Sequence, residues 1–231
     1  TVPGDISVVN NGVLEGKNIN EIIALFPKEI LGKSVIERFG NEFPLLFKFI
    51  DAKEDLSIQL HPNDELAKKR HNSFGKTEMW YVMQADEASR LIVGMKNEVT
   101  QSDYLHYLEN NKILALLDEY SVHKGDVFFL ETGTIHAIGA GVVLAEIQQT
   151  SDITYRIYDW DRVDASGKKR ELHTDLALEA INYKPTDSKI VYKEEADNSV
   201  NLVNCPYFST AIIALHENYA WKRTKDAFTV L

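Results

Sequence analysis

The pattern of hydrophobic and polar positions along the chain predicts mainly short β-strands. Apolar and aromatic runs of strand length occur at 43–50 and 56–60. Further strands are expected at 78–83, 90–95, 126–130, 142–148, 154–158, 202–215 and 228–231. Many short strands separated by turn residues are typical of a β-barrel or β-sandwich.

Helical periodicity is confined to short stretches. An apolar stripe with i, i+3, i+4, i+7 spacing begins after Asn18 and predicts a packing helix. A second helix is predicted at 63–70, directly after a strand. A helical insert at about 100–119 interrupts the strands, and a last helix is expected at 175–182.

Polar residues at the strand ends carry the candidate chemistry. Gln59 and His61 are two positions apart, so on a strand their side chains point to the same side. Glu78 begins a later strand, and His136 follows the glycine turn at Gly133. Two imidazoles, a carboxylate and an amide form a mixed nitrogen and oxygen set that zinc accepts with room for water or substrate. We therefore predict that Gln59, His61, Glu78 and His136 bind one metal ion.

The segment 125–136 combines a glycine turn, an apolar strand, a second turn and a histidine. It resembles the second metal-binding motif of the cupin barrels, with Glu131 where that motif usually has proline and Ala140 where it usually has asparagine. Together with 57–62 and 146–162, this segment makes the chain similar to the type I mannose-6-phosphate isomerases of the short bacterial kind. The resemblance extends over almost the whole chain.

The resemblance implies a mainly β fold, a cupin-type (jelly-roll) β-barrel with the small helical insert, over residues 1–185. Residues 186–231 would form a linker and the start of a second barrel half. In that family a short segment precedes and a further half follows, and this chain begins without methionine and stops within the predicted strand at 228–231, so we expect both ends to be truncated. The implied activity is the interconversion of mannose 6-phosphate and fructose 6-phosphate through an enediol, with one Zn²⁺ per chain.

Two cationic side chains are candidate catalytic residues. The resemblance assigns Arg156 to the family's active-site arginine, although on the residues alone it could pair with Asp152 or Glu146 instead. Lys76 lies two residues before Glu78 and shares its face on an extended segment. A lysine that faces a bound cation suits proton transfer or the binding of an anionic enediolate.

The candidate substrate-binding residues are Ser57, Glu146, Asp152 and Arg162. Glu146 and Asp152 could contact sugar hydroxyls or act as acid or base, and the sequence does not rank them against Lys76 as the proton carrier. Arg162 and the basic run 168–170 are candidates for the phosphate, because charge-assisted hydrogen bonds are about twice as strong as neutral ones.

Composition narrows the classes of partner. The net charge of −10 argues against nucleic acid, since no basic stripe is present, but it does not argue against one small phosphosugar. No apolar run approaches the ~20 residues that span a bilayer. The single cysteine, Cys205, fits a reducing compartment, so we expect a cytoplasmic protein. The oligomeric state stays open.

Two alternative functions remain at this stage. A cupin oxygenase or dioxygenase would use iron, but it would prefer two or three histidines to a set of glutamine, histidine, glutamate and histidine. A non-catalytic sugar-binding cupin would not need to retain all four ligand candidates together with Lys76 and Arg156.

Overall fold

The computed structural model describes residues 6–222 and 225–231. Its centre consists of two five-stranded antiparallel sheets. The strands are β1 Leu45–Ala52, β2 Ile58–Leu60, β3 Glu78–Ala85, β4 Arg90–Met95, β5 Leu117–Ser121, β6 Val127–Leu130, β7 His136–Ile138, β8 Val142–Gln149, β9 Tyr155–Tyr158, β10 Lys189–Ile190, β11 Ser199–Asn204 and β12 Ser209–Ile213. The first sheet has the order β1-β8-β3-β6-β10 and the second β5-β4-β7-β2-β9, while β11 and β12 form a separate hairpin.

An apolar cluster lies between the two sheets. Trp80, Phe128 and Leu144 of the first sheet meet Leu91 and Val93 of the second, and all are buried. Alternate residues of β8 are buried, as expected for strands that turn one face to a core. Glu78 and His136 lie at the first positions of β3 and β7, beside this cluster.

The helices are short and lie outside the sheets. They are α1 Ile19–Leu25, α2 Pro27–Ile30, α3 Lys33–Phe39, α4 Asp64–His71, α5 Gln101–Glu109 and α6 Thr174–Leu178, with a 3₁₀ turn at Ile113–Leu116. The side chains of Asn18 and Asn63 cap α1 and α4, as predicted. In the described part of the chain, no helix has the length and apolar character needed to cross a membrane.

Two predicted helical segments are shorter than expected. Helical structure in the insert ends at Leu116, and β5 follows and pairs with β4 at the edge of the second sheet. The helix predicted at 175–182 ends at Leu178. Side chains of α5, the 3₁₀ turn and α6 cover the outer face of the second sheet, where Tyr104 is fully buried.

The last part of the chain packs on the outer face of the first sheet. Leu202, Val203 and Phe208 of the hairpin share a cluster with residues of β1, β3 and β6. β10 lies in the segment expected to be a linker, yet it pairs with β6. The strand predicted at 228–231 is wrong: Phe228 instead stacks on Phe43, with ring centroids 4.6 Å apart. The domain boundary near 185 stays a prediction.

Candidate metal centre

The folded chain brings three of the four predicted ligands together. His61 directly follows β2, Glu78 begins β3 and His136 begins β7. Nε2 of His61 lies 3.5 Å from Oε2 of Glu78, and Nε2 of His136 lies 3.4 Å from Oε1 of the same carboxylate. The potential ligand atoms all lie within 4.8 Å of one another, and all three side chains are buried. This spacing allows one ion to contact all of them.

Backbone carbonyls fix the tautomer of both histidines. Nδ1 of His61 lies 2.8 Å from the carbonyl of Ile153, and Nδ1 of His136 lies 2.9 Å from that of Thr134. Because a carbonyl only accepts, each Nδ1 carries the proton and each Nε2 offers its lone pair. Burial lowers the pKa of His136 to about 4, and burial followed by the charge of Lys76 holds the pKa of His61 well below its ordinary value. Both imidazoles are therefore in the neutral form that binds metals.

The centre contains four buried polar atoms without a hydrogen bond among the described residues. They are Nε2 of His61, Nε2 of His136 and both carboxylate oxygens of Glu78. A buried polar atom left without a partner costs about 1–3 kcal/mol. Burial and the neighbouring charge of Glu146 raise the pKa of Glu78. A divalent cation would satisfy all four atoms and favour the ionised carboxylate, so these residues fit a zinc-type centre.

Sheet register places Gln59 and Arg156 on the same face as His136. β2 lies between β7 and β9, and Gln59 is paired with His136 on one side and with Arg156 on the other. Side chains of directly opposite residues lie on one face of a sheet. Ser57 connects the side chains of Gln59 and Arg156: its hydroxyl lies 3.4 Å from Oε1 of Gln59 and accepts a hydrogen bond from Nε of Arg156 at 3.3 Å. A direct bond from Gln59 to the metal stays a prediction.

Arg156 has no carboxylate partner. Among residues 6–222 and 225–231, no carboxylate oxygen forms an ion pair with its guanidinium, so the alternative pairing with Asp152 or Glu146 is wrong. Nη1 instead donates to the carbonyl of Glu171 at 3.0 Å. Burial, followed by the charge of Arg170, lowers the pKa of Arg156. A cation in such surroundings is well suited to receive an anionic ligand.

The first sheet contributes a buried lysine and a buried carboxylate. Nζ of Lys76 lies 3.4 Å from Oε2 of Glu78, so the two share a face as predicted. Glu146 accepts from Nζ of Lys48 at 2.8 Å and from Nε1 of Trp80 at 2.9 Å. Although burial raises the pKa of Glu146, the charges of Lys76 and Lys48 and these hydrogen bonds lower it overall. Glu146 is thus an ionised carboxylate beside the metal centre.

Sequence reasoning missed Lys48 and Trp80. Lys48 interrupts the apolar run 43–50, and a single cation within such a run could have indicated a buried partner for its charge. The Trp80 ring also meets the His136 ring edge-on, with centroids 5.3 Å apart.

Comparison with known proteins gives the family. A family model described as phosphomannose isomerase type I, catalytic domain, matches residues 2–88. The mannose-6-phosphate isomerase ManA of Bacillus subtilis is 38% identical over 95% of this chain and 69% of its own length. The chain belongs to the type I phosphomannose isomerase family. A mannose-6-phosphate isomerase of Streptococcus mutans is 36% identical over 90% of this chain and 64% of the relative.

The solved mannose 6-phosphate isomerase of Bacillus subtilis superimposes on this type I phosphomannose isomerase family member with a TM-score of 0.79. It is 33% identical, and the match covers 90% of this chain and 65% of that one. This match confirms the predicted mainly β, cupin-type fold. The chain spans about two thirds of the length of these relatives.

The sequence did not predict the contacts of Arg162 or the exposure of Asp152, two of the candidate substrate-binding residues of this phosphomannose isomerase family member. Arg162 pairs with Asp159 at 2.6 Å and donates to the carbonyl of Asp55 at 2.7 Å. Asp159 also binds Arg170. Asp152 is exposed and forms no hydrogen bond or ion pair with a described residue. Their contacts with substrate stay predictions.

Proposed function

We propose that this chain interconverts mannose 6-phosphate and fructose 6-phosphate. The proposal depends mainly on one observation: two neutral imidazoles and a carboxylate lie beside cations that can bind an anionic intermediate. Their potential ligand atoms are buried and form no hydrogen bond with a described residue. The activity named for the relatives agrees with this arrangement.

Isomerisation between an aldose and a ketose requires removal of a proton next to a carbonyl and its return to the neighbouring carbon. A bound Zn²⁺ would supply Lewis acidity for the negative charge that develops on the substrate oxygen. Arg156 would hold the same charge, because its guanidinium forms no ion pair among residues 6–222 and 225–231 and shares a face with Gln59 and His136. Ser57 would keep Arg156 and Gln59 in register through its hydroxyl.

Lys76 is the proposed residue for proton transfer between the two carbons. It is buried and close to Glu78, so a substrate bound at the metal centre would lie within its reach. The oxygens of Glu146 are occupied by Lys48 and Trp80, which favours a role in orienting a sugar hydroxyl. Asp152 is exposed and contacts no charged side chain of the described residues, so it is the less favoured candidate for proton transfer.

The phosphate group would bind at the side of Arg156 that carries Arg162 and Arg170. Asp159 pairs with both Arg162 and Arg170, and Glu54 lies 3.6 Å from Arg162, so the guanidinium of Arg156 supplies the excess positive charge of this group. This location supports a phosphorylated sugar rather than free mannose.

We further propose one Zn²⁺ per chain and a cytoplasmic location. Support for zinc comes from the borderline donor set of His61, Glu78 and His136. Support for a reducing compartment comes from Cys205, which is a free thiol.

The test combines metal analysis with turnover. We expect purified protein to contain about one zinc per chain and to convert mannose 6-phosphate to fructose 6-phosphate without consuming oxygen. A His136→Ala variant should lose metal and activity together, because one imidazole ligand is removed. His123→Ala is a matched control, since His123 is exposed and lies outside the centre.

Two results would contradict the proposal. Full turnover after the metal has been stripped and verified absent would exclude the metal-dependent mechanism. Oxygen uptake with no sugar isomerisation would assign the centre to a cupin oxygenase instead.

A further inference from the structure

Lys76 lies in the loop directly before β3, and the backbone hydrogen bonds between β3 and β8 extend to its neighbour, since the amide of Gln149 donates to the carbonyl of Thr77 at 3.1 Å. The segment between α4 and β3 has no regular structure up to Glu78. Side chains hold the amides of both neighbours of Lys76 as well: the amide of Gly75 donates to Oδ1 of Asp64 at 2.8 Å, and that of Thr77 donates to Oε1 of Gln149 at 2.9 Å.

Both of these contacts depend on one carboxylate oxygen. Nε2 of Gln149 donates to the same Oδ1 of Asp64 at 3.0 Å, which fixes the amide that holds Thr77. The loop also lies tightly against Asp64, since a Cβ on Gly75 would meet the Asp64 nitrogen at 2.7 Å. Asp64 therefore supports both flanks of Lys76, one directly and one through Gln149.

The position of Asp64 in its helix does not require this carboxylate for capping. The side chain of Asn63 already caps α4 by accepting from the amide of Leu66 at 2.9 Å. The second oxygen of Asp64 accepts from the hydroxyl of Tyr207 at 2.6 Å, and Tyr207 comes from the distant turn between β11 and β12. The carboxylate is thus held from two sides and aimed at the loop.

The charge state of Asp64 fits the same picture. Partial burial raises its pKa, but the hydrogen bonds from Tyr207, Gln149 and Gly75 together lower the pKa below its ordinary value. An ionised carboxylate accepts these donors more strongly than a neutral one would.

We infer that Asp64 is a positioning residue that holds Lys76 in place beside Glu78 through Gly75 and Gln149. The inference rests on the proposed function for its effect on turnover. Misplacement of a catalytic group by about 1 Å costs on the order of 100-fold in rate. Asp64 would affect the reaction without touching substrate or metal.

The test measures kcat, KM and metal content in Asp64→Ala and Asp64→Asn. We expect Asp64→Ala to lower kcat by about 10- to 100-fold, with metal content unchanged and KM little changed. Asparagine keeps an acceptor oxygen for Gly75 and Gln149, so Asp64→Asn should recover most of the rate. Asp197→Ala is the matched control, because Asp197 also accepts from two backbone amides, at 2.7 and 2.8 Å, but lies far along the chain from the centre.

A double-mutant cycle with Lys76→Ala distinguishes positioning from general destabilisation. If Asp64 acts through Lys76, Asp64→Ala should cause no further loss of kcat when Lys76 is already absent. The same fold-loss in both backgrounds would overturn the inference. Amide exchange provides a readout without activity: Gly75 and Thr77 should exchange faster in Asp64→Ala, and unchanged exchange would also overturn it.

Failure of the proposed function would be distinct, since zinc-loaded wild-type protein would then not convert mannose 6-phosphate. If Asp64→Ala does not fold, Gln149→Ala removes the side-chain contacts to Thr77 and to Asp64, while the contact between Gly75 and Asp64 remains. This variant should still lower kcat, but only in protein that retains Lys76; the same fold-loss in Lys76→Ala protein would overturn the inference.

Discussion

Replacement of Arg156 by alanine should separate its chemical role from its contribution to stability. Arg156 donates to neutral acceptors, the Ser57 hydroxyl at 3.3 Å and the Glu171 carbonyl at 3.0 Å. Each such bond contributes about 1 kcal/mol, so the free energy of unfolding should fall by only about 1–2 kcal/mol. Loss of a donor that stabilises developing charge lowers turnover about 10²- to 10³-fold, or ~2.7–4 kcal/mol. The effect on rate should therefore exceed the effect on stability.

The assay is the rate of mannose 6-phosphate conversion, with metal content and urea unfolding measured on the same preparations. Arg156→Lys should recover only a fraction of the rate, because a point charge cannot reproduce the planar set of donors. Arg90→Ala is the matched control: Arg90 pairs with Asp55 at 2.8 Å and with Glu119 at 2.9 Å, so its loss should affect stability and spare turnover. An Arg156→Ala protein that is destabilised yet turns over normally would refute this reasoning.

Three further predictions follow from the geometry. Gly133→Ala should lower the free energy of unfolding by more than about 2 kcal/mol and weaken metal retention, because a Cβ there would meet the carbonyl of Ala180 at 2.5 Å. Gly12 has a similar φ of +80° but open space around it, so Gly12→Ala should show only the smaller backbone cost in urea unfolding. In metal-free protein, the lowered pKa of His136 means that its contribution to stability is complete above pH 6.5 and is lost as the pH falls to about 4. The unfolding free energies of wild type and His136→Gln should differ in slope by about 1.4 kcal/mol per pH unit in that window, and equal slopes would contradict a neutral buried imidazole. Free mannose should show a much lower kcat/KM than its 6-phosphate, since binding of the remote phosphate helps to orient the reacting carbons; similar values would remove the phosphosugar assignment.

Local sequence is sufficient to predict that His61, Glu78 and His136 meet, because each lies beside its own turn or strand end. His136 follows the turn at Gly133, whose φ of +85° suits glycine, and the amide of Gly133 donates to the carbonyl of His61 at 2.8 Å. The i, i+2 spacing also predicted that Lys76 lies near Glu78, although Lys76 precedes β3 and is not part of the strand.

Interactions that depend on long-range register could not be predicted. Lys48 meets Glu146 because β1 pairs with β8 with these two residues opposite each other, 98 positions apart in sequence. The pairing of Arg162 with Asp159, three positions earlier, was missed for a local reason: it is set by the turn after β9, in which Trp160 and Asp161 adopt positive φ values of 56° and 55°. The apolar pattern at 228–231 indicated a strand, but a strand needs a neighbour, and Phe228 packs on Phe43 instead.

The candidate ligands come from both sheets, so a bound ion would connect the two sheets. Glu78 belongs to the first sheet, whereas His136 is the first residue of β7 and His61 directly follows β2, both in the second sheet. An ion held by all three would cross-link the two layers of the barrel, in the way that a disulfide joins distant segments. At a thousandfold excess over its dissociation constant, such an ion would add about 4 kcal/mol to the stability of the fold. The lifetime of the protein in a cell would then depend on metal supply, since without the ion four buried polar atoms oppose the packing of the layers.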